Sequence, residues 1–178
     1  MNAIFYQIYP RSFYDANGDG YGDFQGITEK LDYIKSLGID CIWIMPIYPS
    51  TLVDDGYDIS DFSGLSEKMG TFSDYQNLIE GVHQHGMRII MDLVLNHCSD
   101  QHPWFQEARK DRNSKYRNYF VWSDTDQKYS GTRIIFCDTQ KSNWTWDNVA
   151  GQYFWHRFYP QQPDLNYDNP ELRNEMKN

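Results

Sequence analysis

The sequence is poor in basic residues, in patterned cysteine and in long apolar runs. Lysine and arginine total 16 against 25 aspartates and glutamates, giving a formal net charge of −9 and a pI near 4.9. Such a surface repels phosphate backbones, which argues against nucleic acid as a partner and favours a neutral substrate or a bound cation. The three cysteines, Cys41, Cys98 and Cys137, are odd in number and irregularly spaced, so no disulfide framework is expected. Cys41 lies in an apolar run and reads as core filling. Residues 1–20 hold no charged segment followed by an apolar one, and no apolar run approaches a membrane-spanning length. The expectation is a cytoplasmic protein that engages no membrane. No G-x-G-x-x-G follows the first strand, which disfavours dinucleotide binding. No serine stands in a nucleophile elbow, and His97, Cys98 and His102 match no usual zinc spacing.

What remains is a globular chain of 178 residues, 40% hydrophobic, long enough for one domain with a sizeable core or a large insertion. Aromatics reach 17%, with 6 Trp and 14 Tyr. They fit either a thick aromatic core or flat rings that stack on pyranose faces, and composition does not choose.

Periodicity supplies the architecture. Ile4 to Tyr9 is a short β-rich run ended by Pro10. Ile27, Leu31, Ile34 and Leu37 recur at helical spacing, with Gly38 at the C′ position. Ile39 to Pro46 is nearly all apolar, as a strand buried on both faces requires. Ser73 with Gln76 predicts a capping box for a second helix, striped by Tyr75, Leu78, Ile79 and Val82 and closed by Gly86. Met87 to Leu95 predicts another buried strand. Strand, helix, strand, helix, strand implies a parallel α/β sheet with right-handed crossovers, either doubly wound or part of a (β/α)8 barrel. From Asn96 to about Asp168 the rhythm stops. That is too long for a loop, so an irregular inserted subdomain after strand three is expected. Asn169-Pro170-Glu171 then opens a helix.

Two clusters carry chemistry. Asp15-x-Asn17-x-Asp19-Gly20-Tyr21-x-Asp23 places three carboxylates and one amide within nine residues, with glycines to let the backbone turn around a centre. A hard cation bound by oxygen would relieve the repulsion, with Asp15, Asn17, Asp19, the Tyr21 carbonyl and Asp23 as ligands. Position twelve of an EF-hand would be Gly26 and no preceding helix is predicted, so a structural Ca²⁺ loop is expected rather than a sensor. A solvated acidic turn is the alternative. The second cluster joins Asp54-Asp55-Gly56-Tyr57-Asp58, beyond strand two, to Asp92-x-x-x-Asn96-His97, at the end of strand three. In (β/α)8 barrels the active site forms at these strand ends. Asp92, alone in an apolar strand, must be paired or hydrogen-bonded and is expected to be structural. His97 is either a satisfied core histidine or a donor to a sugar hydroxyl.

Several segments resemble one family. Asp92-Leu93-Val94-Leu95-Asn96-His97 is similar to the D-x-V-x-N-H region of the α-amylase superfamily, glycoside hydrolase family 13. Gln162-Pro163-Asp164-Leu165-Asn166 resembles the Q-P-D-L-N segment of its oligo-1,6-glucosidase-like members. Tyr6 to Phe13 and the loop from Asp15 to Asp23 resemble the same group. The stretches Tyr119–Thr125, Thr132–Phe136, Ser142–Asp147 and Val149–Phe158 resemble the trehalose synthase branch, the maltose α-D-glucosyltransferases.

The resemblance implies the first three βα units of a (β/α)8 barrel over residues 1–97, an inserted domain over 98–168 and the start of the next barrel helix over 169–178. It implies a retaining mechanism on α-glucosides, maltose and trehalose or short α-glucans, with Ca²⁺ as a structural ion and no organic cofactor. Asp54 would bind hydroxyls of the non-reducing glucose, Tyr57 would stack on that ring and His97 would bond its 6-hydroxyl. Asn96, with Asp138 as a weak candidate partner, would form a second calcium site. The family's nucleophile and acid/base follow later strands, so the catalytic pair is expected beyond residue 178 and this fragment alone is expected to be inactive. An α-glucosidase or oligo-1,6-glucosidase, and a non-catalytic calcium- or sugar-binding module, are the alternatives.

Overall fold

The computed structural model describes residues 3–177. The chain divides into two compact units, Met1–Pro49 with Phe62–Leu93, and Ser50–Asp61 with Val94–Asn178.

The first unit is a three-stranded parallel sheet with helices on one face. Its strands are β1 (Phe5–Ile8), β2 (Cys41–Ile44) and β3 (Arg88–Met91), in the order β1-β2-β3. Tyr6, Ile42 and Ile89 stand level across the sheet, as do Ile8, Ile44 and Met91. Side chains alternate along a strand, so these six point to one face. There they meet Phe24, Ile27, Leu31, Ile34, Leu78 and Val82 in one apolar core. The opposite face carries Phe5, Trp43 and Ile90, and both Phe5 and Ile90 are exposed. β2 is buried as its apolar run predicts. β3 is not: it stops at Met91 and alternates between exposed and half-buried positions. Apart from Arg88 and Asp92 that run is apolar, so it could not announce how much of the strand lacks cover.

α1 (Pro10–Phe13) is a single turn, α2 (Phe24–Glu29) and α3 (Leu31–Ser36) follow, and α4 (Phe72–Gln84) returns the chain to β3. The predicted single helix is therefore two, broken at Lys30. A helical turn does precede the acidic loop, contrary to the sequence reading. Gly38 and Gly86 adopt φ of 79° and 66°, as C′ glycines do. The capping box of α4 is made by Thr71 and Asp74, two residues before the Ser73–Gln76 pattern. Thr71 Oγ1 accepts from Asp74 N, and the Asp74 carboxylate accepts from Thr71 N.

The second unit has its own order. α5 (Pro103–Lys110) packs beside a three-stranded antiparallel sheet of β4 (Trp122–Ser123), β5 (Trp144–Asp147) and β6 (Gln152–Trp155), with β6 central. α6 (Pro170–Glu175) starts as expected, with the Asn169 side chain accepting from Glu171 N. Phe105 of α5 anchors an aromatic core against Phe120, Trp122 and Phe154, at centroid distances of 5.0, 5.6 and 5.1 Å. Much of the aromatic excess is thus core. Tyr129 differs: it is exposed and holds φ +56°, where bulky residues are rare.

Among the described residues no helix is long and apolar enough to cross a membrane. Cys41, Cys98 and Cys137 are free thiols.

Candidate functional site

The first unit holds the acidic loop and Asp92. Asp15 accepts from Gly18 N at 2.6 Å and Gly20 N at 2.7 Å, and Asn17 and Asp19 each accept from the amide two residues on. Gly18 and Gly20 turn at φ of 79° and 90°. The Gly20 amide, and more weakly Gly18, Asp19 and Asn17, hold the Asp15 carboxyl below the usual carboxylate range. Asp23 caps α2 by accepting from Gly26 N and ties down Ala16 N. Among the described residues no three His, Cys, Asp or Glu side chains converge to hold a metal. The oxygens of Asp15, Asn17, Asp19 and Asp23, with the Tyr21 carbonyl, are of the kind a hard cation takes, so the loop's chemistry fits one. Asp92 lies just past β3 and accepts from Trp43 Nε1 at 3.0 Å, so its expected partner is at least in part an indole within its own unit.

The second unit gathers the remaining candidates. Asp58 is fully buried and organises the loop before it. Ser50 Oγ donates to it at 2.7 Å, Thr51 N at 3.0 Å and Asp54 N at 3.1 Å, and Thr51 Oγ1 adds a fourth bond. The chain bends sharply there, with φ of 61° at Leu52, 48° at Asp55 and 100° at Gly56. This turn sets Asp54 and Tyr57 on either side of the bend. Gln162 Nε2 donates to Asp54 Oδ2 at 2.9 Å, while Gln162 Oε1 accepts from Tyr159 N at 3.1 Å. The two contacts fix which way the amide faces.

His97 is buried, and both its ring nitrogens are engaged. Nε2 donates to the Tyr57 carbonyl at 3.1 Å, and Nδ1 accepts from Asn96 Nδ2 at 3.1 Å. Burial holds the imidazole pKa down, partly offset by the Tyr57 carbonyl and the Asp54 and Asp58 charges. The same Nε2 also lies 3.1 Å from the Gln162 amide nitrogen. Asn96 Nδ2 also donates to Asp164 Oδ1 at 3.1 Å, which further accepts from Arg157 N at 3.0 Å. Burial raises the Asp164 carboxyl to about 7, against those bonds and one from the Trp155 side chain. Asn96 thus links His97 to Asp164, whereas Asp138 is exposed in a turn.

Sequence reading named Asp54, Tyr57, Asn96 and His97 as candidates and gave Gln162 and Asp164 no role. The signal was the 162–166 segment, whose role shows only in pairing. Cys98 N donates to Pro163 O and Leu165 N to Asn96 O, with an antiparallel bridge between His97 and Asp164.

A buried imidazole, a fixed carboxylate and a planar amide thus meet on loops of one unit, without a nucleophile–base pair of their own. The α-amylase catalytic domain family matches residues 7–178, and the chain belongs to it; the family's fold is a (β/α) barrel. The chain is 51% identical over 174 residues to the trehalose synthase of Pimelobacter sp. strain R48, covering 98% of this chain and 30% of that protein. It is 46% identical over 176 residues to the oligo-1,6-glucosidase of Parageobacillus thermoglucosidasius, covering 98% and 31%. A crystal structure of a trehalulose synthase MutB variant with Tris superposes with a TM-score of 0.89 at 49% identity, again over 98% and 31%. The chain thus spans about 30% of the length of these relatives.

Proposed function

We propose that this chain is part of a retaining α-glucoside-acting enzyme that converts maltose to trehalose by moving a glucosyl unit within one bound substrate. The observation that carries the reading is the Asp54–Gln162 bond beside buried His97, which brings a carboxylate, an amide and an imidazole together on loops of one unit. On this reading Asp54 accepts hydrogen bonds from glucose hydroxyls, Tyr57 offers a ring face, and His97 hydrogen-bonds the 6-hydroxyl. The three parallel strands are the first strands of the barrel. The carboxylates that break the glycosidic bond belong to sequence outside residues 1–178. Trehalose synthases at 51% and 54% identity support isomerisation, a narrow margin over the oligo-1,6-glucosidases at 46% to 50%. The 46% identity to an oligo-1,6-glucosidase supports a hydrolase as the second reading.

Incubation of the full-length protein with maltose separates the two. Trehalose as the main product is expected; glucose without trehalose would overturn the isomerase. In the same proposal Ca²⁺ sits on Asp15, Asn17, Asp19, the Tyr21 carbonyl and Asp23 and acts structurally. Calorimetry with Ca²⁺ is expected to show binding, and a chelator to lower the melting temperature. Neither effect would appear if the loop is only a solvated turn.

A further inference from the structure

The segments that resemble trehalose synthases do more than flank the Asp54–His97 wall. Thr132, Ile134, Asn143 and Trp144 line a separate pocket of about 240 Å³, of which Asp54, Tyr57, His97 and Gln162 form no part. Its floor is two indoles. Trp144 and Trp155 meet edge to face at 5.0 Å, and Trp144 Nε1 donates to Lys128 O at 2.8 Å, which fixes its ring. Over them stands Tyr129, parallel to Trp144 within 9° at 6.2 Å and edge-on to Trp155 at 5.4 Å.

Tyr129 is 62% exposed, yet its backbone holds the left-handed conformation at φ +56°. Burial does not repay that strain. The turn that imposes it is braced, with Thr132 N donating to Tyr129 O at 2.8 Å and Asn143 Nδ2 donating to Thr132 O at 3.1 Å. An exposed ring kept in a costly conformation beside two anchored indoles is where strain points to binding. The remaining walls include Ser130 and the charges of Asp126, Lys128 and Lys141. One acid against two bases selects no strongly charged ligand, while hydroxyl, ammonium and carboxylate all bond sugar hydroxyls. The volume lies below the roughly 300–1,000 Å³ of sites for larger ligands, which suits one ring.

We propose that this pocket is a second carbohydrate subsite that takes one glucosyl ring of an α-glucan, stacked on Tyr129. The ligand class rests on the α-glucoside reading above; the site rests on the pocket. The test is calorimetric titration of the full-length protein with maltose, followed in parallel by tryptophan fluorescence. Asp54→Ala silences the wall and is expected to leave one maltose site. Adding Tyr129→Asn, which removes the ring while tolerating a positive φ, is expected to weaken that site roughly tenfold. Adding Tyr129→Phe instead is expected to leave it unchanged. Loss of all binding with Asp54→Ala alone, or equal affinity with and without Tyr129→Asn, would overturn the second subsite and spare the proposed function. Failure of the unaltered protein to bind maltose would remove both.

Discussion

Gln162 donates to Asp54 across 108 residues of sequence, and its own orientation is set by Tyr159 N. A single buried amide thus ties the turn after Pro49 to the segment that closes the antiparallel sheet, within one unit.

Replacing that amide tests the link. Gln162→Ala is expected to destabilise the protein by about 1–3 kcal/mol, because Tyr159 N loses its acceptor and Asp54 its donor. Sugar affinity is expected to fall with it. Gln162→Glu presents a second carboxylate to Asp54 and is expected to lower affinity further near neutral pH. Denaturant titration with parallel maltose binding reads both.

Asp164 gives a pH dependence of defined sign. Its folded carboxyl lies at about 7, above the unfolded value of 3.8. The unfolded chain releases this proton first, so the group's contribution to stability falls as pH rises from about 4 to about 7 and is flat above. Asp164→Asn keeps an oxygen for Asn96 and Arg157 N and removes the titration. Relative to wild type, the variant is expected to gain stability toward pH 7, by up to about 4 kcal/mol. Equal pH slopes for the two proteins would refute the buried-carboxyl account.

His102 runs the other way. It caps α5, its Nδ1 accepting from Trp104 N at 3.1 Å, and burial lowers its pKa to about 4. Its folded pKa lies below the unfolded 6.5, so stability is lost as pH falls from about 6.5 toward 4. Protonation also consumes the lone pair that caps the helix. His102→Asn, an untitratable cap, is expected to flatten this acid limb in thermal melts between those pH values.

Two glycines separate rigid from yielding contacts. A Cβ on Gly26 would stand 2.0 Å from the Tyr14 carbonyl oxygen, whereas one on Gly81 would meet the end of the Leu31 side chain at 2.8 Å. Gly26→Ala is expected to cost at least about 3 kcal/mol, since backbone must move. Gly81→Ala is expected to stay within about 1 kcal/mol of wild type, because Leu31 can shift and α4 gains helix propensity. Chemical denaturation of the pair compares them.

The parallel sheet was legible because apolar runs and helical stripes are local signals. The break at Lys30 was not, because the stripe of Ile27, Leu31 and Ile34 runs through it unchanged. The α4 cap was misplaced by two residues because Ser73 and Thr71 offer similar chemistry and only the backbone decides. The insertion's sheet stayed hidden because its strands run two to four residues and carry aromatic rings on both faces, Trp144, Trp146, Tyr153 and Trp155 on one and Trp122 and Phe154 on the other. In the candidate site, Asp54, Tyr57 and His97 could be picked out by strand-end position. Gln162 and Asp164 could not be given roles, since their partners lie 108 and 68 residues away.

Tyr129 sets stability and ligand capture against each other at one codon. Glycine or asparagine suits its φ better, so a library sorted only for heat resistance is expected to drift away from tyrosine there. A library sorted for retention on immobilised maltose is expected to keep an aromatic ring. The two enriched pools would part company at position 129.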